Sequence, residues 1–438
     1  MTRILFATIP ITGHVRPGLP VARELVNAGH QVAWYTGRRF EPLVSRVGAK
    51  FVPSSVGADG DVLQDMTGDR NGIGGFKRII RELFVEPVPE YARDLSDVID
   101  EFRPDVIVAD HCFLAGPMVA SRRGIGSVVY VVGPLAVSSV DTAPSGTGLA
   151  PSSSPLGRLR NRTLSWLVAN VVFRDVQQAL RRAAAAIDFP ALDDFLTDWT
   201  VRIADRYLVA AIPEFEYPRS DLPPAVEFIG PMLPAGVDDW SPPDWWPELR
   251  AARRAGRPVV LVTQGTAATD PRQLVLPTIS ALADTDALVV ATALGDLPDD
   301  TLPRPRPAGL RLERFVPYTE LLPLTDVMVT NGGYGGVQMS LAYGVPLVTA
   351  GRSEDKMEVN RRVAWSGAGI SLNTSNPRPE RLRSAVTSVL EDSRYRERAQ
   401  RLKAAYARYP GAPRAAEAIL ETAAGAAPLS AGDEGRPR

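Results

Sequence analysis

Cysteine is all but missing from this sequence. The single Cys112 cannot form an intramolecular disulfide and rules out a multi-cysteine metal site. It lies beside an apolar strand, where a buried thiol is expected. Histidine is nearly as scarce, with His14, His30 and His111 alone. Net charge is close to zero, 49 Lys and Arg against 50 Asp and Glu, so nothing in bulk draws the chain to nucleic acid or an anionic membrane. There is no basic stripe interleaved with aromatics and no zinc-finger or RNA-binding signature, so no nucleic-acid partner is expected. No apolar run approaches the ~20 residues that span a bilayer, and the early run RILFATIP leads into a turn instead of a signal-peptide pattern. A soluble, cytoplasmic protein without membrane insertion is expected. The patterns GxxxxGK[ST], HExxH and GxSxG are missing, as is any carboxylate-rich metal loop, which argues against P-loop, zinc-hydrolase and serine-hydrolase chemistry. No metal site is expected.

What is present is alternation. The chain has 438 residues, too many for one core, so two domains are the natural division. It opens with a short apolar run (ILFATIP), a Gly/His/Pro turn, a helix pattern (PGLPVARELVNAGH) and a second apolar run (QVAWYT), the strand–helix–strand unit of a parallel sheet. Further strands are expected at AKFVP, DVIVAD, SVVYVV, YLVAAIP and EFIGPML. After a Pro- and Trp-rich stretch, PAGVDDWSPPDWWPELR, the alternation restarts with PVVLVTQGT, ALVVATAL, LRLERFVP, DVMVTNGG, VPLVTAG and GAGISL. The fold class is α/β, with two Rossmann-like doubly wound domains facing across a cleft. The expected units are residues 1–231, a linker at 232–248, a second domain at 249–424 and a flexible tail at 425–438. One helix pattern is expected from Ser393 to Ala424, and Trp245 and Trp246 as linker packing. The Ser/Pro/Gly stretch at 137–160 looks too polar for core packing, and such segments are functional lids or disordered.

Ligands of open α/β sheets settle beyond the carboxyl ends of the strands, and the chemically capable residues gather there. In TNGGYGGVQMSLAYG (330–344) a strand end precedes the glycines and a helix pattern follows. The backbone N–H groups of Gly332, Gly333, Gly335 and Gly336 then lie at a helix N-terminus, where an anion can be held. Thr266, in QGTAATD after another apolar strand, is a candidate donor to the same anion or a simple helix cap. His14, in TGHVRPG, sits in the turn after the first strand, where a helix N-terminus should disfavour its charged form and suit it to general-base work; the alternative is that it only caps or fills the turn. Asp110 ends DVIVAD, placed to orient an imidazole or to cap the next helix. His111 should face the other way by strand alternation, and His30, at the opposite edge, should be structural.

Taken in order, GHVRPGLPVARELVNAGHQV, FVPYTELLPLTDVMVTNGGYGG and GVPLV…EDK…RV…GAGISL resemble the inverting nucleotide-sugar glycosyltransferases of the GT-B fold. The specific likeness is to the bacterial natural-product enzymes related to macrolide glycosyltransferases. The resemblance implies that His14 removes the acceptor proton and Asp110 orients it, with direct inversion and neither metal nor cofactor beyond the nucleoside-diphosphate sugar (dTDP- or UDP-) as co-substrate. It implies a donor site of Phe315 stacking on the base, Val316 reading the base through its backbone, Thr266 and Asn331 to Gly336 around the diphosphate, and Asp355 with Lys356 at the sugar hydroxyls. A small hydrophobic, hydroxylated acceptor is expected against Phe76, Phe84 and Val137, in a monomer or homodimer.

Four positions depart from the family pattern: Asn331 for a phosphate-contacting histidine, Met339 for a ribose-binding glutamate, and Lys356 and Tyr318 for glutamines. A lysine near the diphosphate could restore charge missing at Asn331. The changes point to an atypical donor, a dTDP-deoxysugar over UDP-glucose. The alternatives are a nucleotide-sugar 2-epimerase of the same fold and a catalytically inactive binding or auxiliary protein. A nicotinamide oxidoreductase, from the loose likeness of GGYGG to a dinucleotide fingerprint, is a weaker fourth.

Overall fold

The structure, a computed structural model, describes residues 1–425 except 58–59, 64–65, 67–71, 234–239, 265–269, 294–300 and 354. Thr266, part of the expected linker and the tail from 426 onward therefore lie outside the described residues. Thirteen strands appear among those described, one at each expected run. The first seven are β1 (Arg3–Ala7), β2 (Gln31–Thr36), β3 (Lys50–Pro53), β4 (Val106–Asp110), β5 (Gly126–Val131), β6 (Arg206–Val209) and β7 (Val226–Phe228). They form one parallel sheet in the order β3-β2-β1-β4-β5-β6-β7. The other six are β8 (Val259–Thr263), β9 (Leu288–Thr292), β10 (Leu310–Glu313), β11 (Val327–Thr330), β12 (Leu347–Thr349) and β13 (Gly369–Ser371), in the order β10-β9-β8-β11-β12-β13. The central strands VIVAD and VVLVT are buried at every position. That is the mark of parallel sheets covered by helices on both faces, where continuous β-branched runs replace alternation.

In each sheet the strand order reverses beside its first strand, at β1/β4 and at β8/β11. Crevices open at the carboxyl ends of such switch points. Register pairs Ile4 with Val106 and Val327 with Val260, so the loops leaving β1 and β4 emerge side by side, as do those leaving β8 and β11. The histidine turn follows β1, and the glycine turn follows β11. Both lobes thus put their polar, glycine-rich turns at the equivalent place.

The chain end departs from expectation. The pattern read as one helix from Ser393 to Ala424 is two, Ser393–Tyr406 and Ala412–Gly425. The break falls at Pro410–Gly411. Gly411 has φ +66°, and a Cβ there would sit 2.2 Å from the Pro231 carbonyl oxygen, so this crossing accepts glycine alone. The second helix leaves the lobe that precedes it. Its alanine-rich face, with Ala415, Ala418 and Ile419, packs in one core with Ile4, Phe6 and Val128 of the first sheet. The expected unit 249–424 is corrected at this end, because the last helix covers the amino-terminal sheet. Trp245 donates to Glu313 Oε1 at 2.7 Å, and Trp240 and Trp245 pack against Trp246, which fits linker packing.

The 137–160 stretch also differs from its reading. Val137 and Asp141 are buried, and the helix Pro155–Leu167 begins inside the stretch. Ser154 caps that helix by accepting from Gly157 N–H, with proline next in line. The polar content is satisfied within the fold: Asp141 accepts from the Ser220 backbone (2.8 Å), the Ser220 hydroxyl (2.6 Å) and Arg158 Nε (2.9 Å). From the loop's tip, the N–H groups of Gly146 and Gly148 donate to Glu358 Oε1 of the other lobe at 2.8 and 3.1 Å. Polar composition therefore marks a strap held by buried acids.

Behind that contact lies an ion cluster between the lobes. Arg362, in the helix Lys356–Ser366, pairs with Glu216 of the first lobe and with Glu358 (3.0 Å). Its guanidinium also lies 4.2 Å over the Tyr217 ring. Glu216 holds the Leu135 backbone N–H at 2.8 Å. Burial opposes the charge on Arg362, but Glu216 and Glu358 outweigh it and raise its pKa. Removing one partner of such a cluster leaves uncompensated buried charge, at about 3–5 kcal/mol. Arg362→Ala is accordingly expected to lower stability by about that amount, read as a shift of the urea midpoint. A midpoint equal to that of the unaltered protein would show that the cluster does not hold the lobes.

Candidate active site

The site is built from short loops at the first switch point. β1 is followed by the single helical turn Thr12–Val15, which carries His14. Its amino end is held by Asp61, whose carboxylate accepts from the Thr12 backbone (2.9 Å) and hydroxyl (2.7 Å). Tyr130 fixes the other side by donating to the His14 carbonyl at 2.7 Å. Asp110, fully buried at the end of β4, accepts from Ile9 N–H (2.8 Å) and Cys112 N–H (2.9 Å). Its Oδ1 lies 2.7 Å from His14 Nδ1. A carboxylate can only accept, so Nδ1 carries the proton and Nε2 is the unprotonated nitrogen of neutral His14.

The electrostatics correct the sign expected from a helix N-terminus. Burial works against the charged form of His14, but the Asp110 carboxylate, by charge and by hydrogen bond, more than offsets it. Asp355 and Asp61 add to this, and the His14 pKa is raised above the ordinary 6.5. Asp110 is held below the usual carboxylate range: burial opposes this, and His14, His111 and the Ile9 N–H prevail. His111 does not point away from this pair. Alternation holds only within β4, which ends at Asp110, and the next residue turns back so that its ring stacks at 5.4 Å and 11° on His14. Burial, then the neighbouring His14, lower the His111 pKa to about 4, so it stays neutral. His30, by contrast, accepts from the Thr2 backbone at 3.2 Å, a structural role.

Across the crevice, Asp355 approaches this group. A side-chain carbon at Gly133 would lie 3.6 Å from Asp355 Oδ2 and 4.0 Å from His111 Nε2. Asp355 precedes the helix Lys356–Ser366, and the buried Lys356 donates to Ser353 Oγ at 3.2 Å. The glycine turn forms the N-terminus of the helix Tyr334–Ala342, with Gly333 as its cap residue. The first intrahelical bond runs from Val337 to Gly333, so the N–H groups of Tyr334, Gly335 and Gly336 have no acceptor within the helix. Gly332 has φ +93°, and a Cβ would fall 1.9 Å from Asn360 Oδ1. Asn331 is buried and donates its amide to the Gln264 carbonyl, tying the loops after β8 and β11 together. Phe315 is 55% exposed beside the buried Val316, an aromatic face open to solvent.

Among the expected acceptor residues, the Phe84 ring lies 6.2 Å from His14. Phe76 is partly exposed and packs edge-on against Phe173. Val137 is only 4% exposed within the core and offers a ligand little surface. Met339 is likewise buried in the core. Tyr318 donates to Thr263 Oγ1 at 3.2 Å and flanks Gly336, a contact that its sequence position did not reveal. Asp61 and His111 were missed too. For His111 the available signal was its place one residue beyond the end of a strand.

Comparison with known proteins accords with this arrangement of two facing doubly wound lobes. The fold is that of GT-B glycosyltransferases: the crystal structure of the glycotransferase of kitacinnamycin aligns at TM-score 0.74 and 23% identity, covering 96% of this chain and 98% of that one. A family profile described as erythromycin biosynthesis protein CIII-like, C-terminal domain, matches residues 277–422. The chain is 43% identical over 410 residues to 4'-demethylrebeccamycin synthase of Lentzea aerocolonigenes, covering 92% of this chain and 96% of that protein. It is 33% identical over 433 residues to UDP-glycosyltransferase 2 of Phaeomoniella chlamydospora, covering 92% of each. The chain belongs to the bacterial natural-product, macrolide-glycosyltransferase-like family of the GT-B fold. It is a glycosyltransferase that uses a sugar-nucleotide donor. Among the described residues, no helix is long and apolar enough to cross a membrane.

If His14 accepts a proton during turnover, its neutral form is the working one, and rate is lost as pH falls through its pKa, above 6.5. The profile of kcat/KM should therefore show an acid limb with its inflection above 6.5. Asp110→Asn removes the carboxylate that raises this pKa, so the limb should move to lower pH while the plateau falls by about 10²–10⁴-fold. A limb that stays in place in Asp110→Asn would detach this pair from the rate.

Proposed function

We propose that the protein is an inverting glycosyltransferase that moves a sugar from a dTDP- or UDP-sugar to a hydroxyl of a small hydrophobic natural product. The observation that carries this reading is the 2.7 Å contact between His14 and Asp110 at the edge of a crevice whose far wall holds Asp355. His14 Nε2 takes the acceptor proton, and the growing imidazolium is stabilised by the Asp110 carboxylate behind it. The acceptor oxygen attacks the anomeric carbon as the bond from that carbon to the diphosphate oxygen breaks. The leaving diphosphate gathers negative charge where the N–H groups at Tyr334 to Gly336 converge. Preformed donors at that point lower the barrier without reorganising.

In this reading residues 1–231, with the returning last helix, bind the acceptor, and residues from 249 to the 410–411 crossing bind the donor. Thr266, Asn331 and Gly332 to Gly336 surround the diphosphate, Asp355 and Lys356 meet the sugar, and Phe315 stacks on the base beside Val316. Asn331 is already engaged with Gln264, so its contribution to the diphosphate is its second amide hydrogen and its hold on the loop. The buried Met339 supplies no ribose hydrogen bond, which fits a donor bound mainly through base and diphosphate. Phe76 and Phe84 line the acceptor side, and Val137 supports it from the core.

A panel of dTDP- and UDP-sugars, scored by thermal shift, identifies the donor because ligands of the native state raise the melting point. The product should carry the anomeric configuration opposite to the donor's, read by NMR, and retention of configuration would rule out single displacement. His14→Ala should cut kcat by about 10²–10⁴-fold while leaving the donor's thermal shift intact. Phe315→Ala should weaken nucleotide binding by about 1–3 kcal/mol if the ring stacks on the base. Unchanged nucleotide affinity in that variant would remove Phe315 from the donor site.

A further inference from the structure

The geometry points to a binding site for a thiophilic divalent cation, zinc in the first place, formed by His14, His111 and Cys112 with Asp110, and we propose that its occupation switches the transferase off. These four side chains each offer a ligand atom, and all four atoms lie within 4.8 Å of one another. The lone cysteine excludes a multi-cysteine site, but it does not exclude this mixed one. Three of the residues are consecutive at the end of β4, and the fourth arrives on the turn after β1, so the fold itself assembles the group.

The donor set selects the metal. Two imidazoles, a thiol and a carboxylate suit zinc or cobalt and are poor for magnesium or calcium, which prefer all-oxygen shells. The buried Nδ1 of His111 has no hydrogen-bond partner among the described residues. Nothing in the transfer chemistry uses that nitrogen. As the Zn–S bond forms, the thiol proton passes to solvent, with no change of oxidation state. The thiolate and the Asp110 carboxylate together balance the two positive charges.

Zinc bonds of about 2.0–2.3 Å require ligand atoms roughly 3.3–3.8 Å apart in a tetrahedron. The group's ligand atoms lie within 4.8 Å of one another, so the widest pairs must draw together by side-chain rotation for all four to bind. A cation there occupies the imidazole that otherwise accepts the acceptor proton. This masking rests on His14 acting as base, whereas the binding itself does not.

The test uses the full-length, EDTA-treated protein. Titration with Co²⁺ should give a stoichiometric thiolate-to-cobalt charge-transfer band, absent in Cys112→Ser, and His111→Asn should weaken Co²⁺ binding by about 10–100-fold. Buffered free Zn²⁺ should inhibit transfer by the unaltered protein, with reversal by EDTA. Cys112→Ser should transfer normally without metal, melt at the same temperature and resist zinc. No band in the unaltered protein, or an equal band in Cys112→Ser, overturns the site. Equal zinc inhibition of both proteins overturns it as the seat of inhibition. A cobalt band without zinc inhibition overturns the switch through His14 and leaves the site standing.

Discussion

One buried carboxylate organises the amino-terminal half of the crevice. Asp110 accepts hydrogen bonds from the backbone after β1, from the backbone after β4 and from the imidazole of His14. A fully buried acid is tolerable only when its oxygens are satisfied and its charge is met. Those same contacts bring two loops together and aim one ring. Stability and geometry therefore come from one set of bonds: the loops cannot relax apart without exposing an unpaired carboxylate to a low-dielectric interior.

The second lobe has the complementary character. Its crevice edge is made of glycines and an unsatisfied helix start, favourable to an anion. The first lobe presents the His14 imidazole, and the second presents backbone N–H groups. The Arg362 cluster together with the Gly146–Gly148 strap keeps the two lobes in contact. That strap ends on Glu358, in the first turn of the helix that begins at Lys356. The 137–160 loop and the helix that follows Asp355 thus share a hydrogen-bonded boundary.

Much of this was legible in the linear chain. Runs such as VIVAD and VVLVT are too apolar and β-branched for anything but covered parallel strands, and each expected run became a strand. Strand ends also told where His14, Asp110 and the glycine turn would lie, because side chains leaving the carboxyl edge of an open sheet have only the crevice to enter. The misreadings share a cause. The single helix from Ser393, the polar loop at 137–160, the outward His111 and the lowered His14 pKa were all inferred from neighbours in sequence. In each case a partner distant in sequence decides the outcome: Pro231 at the Gly411 crossing, Ser220 and Glu358 at the loop, His14 beside His111, and Asp110 beside His14.

By itself the sequence determined the periodic features: two α/β lobes, their strand positions and the turns at their edges. These follow from local hydrophobic pattern and from residues such as glycine whose effect is short-ranged. Tertiary structure alone decided which lobe the last helix covers, how the charges at the site titrate and which residues meet across the crevice. Burial and Coulomb interaction depend on distance in space, and residues 14, 110 and 355 acquire theirs only once both sheets are built.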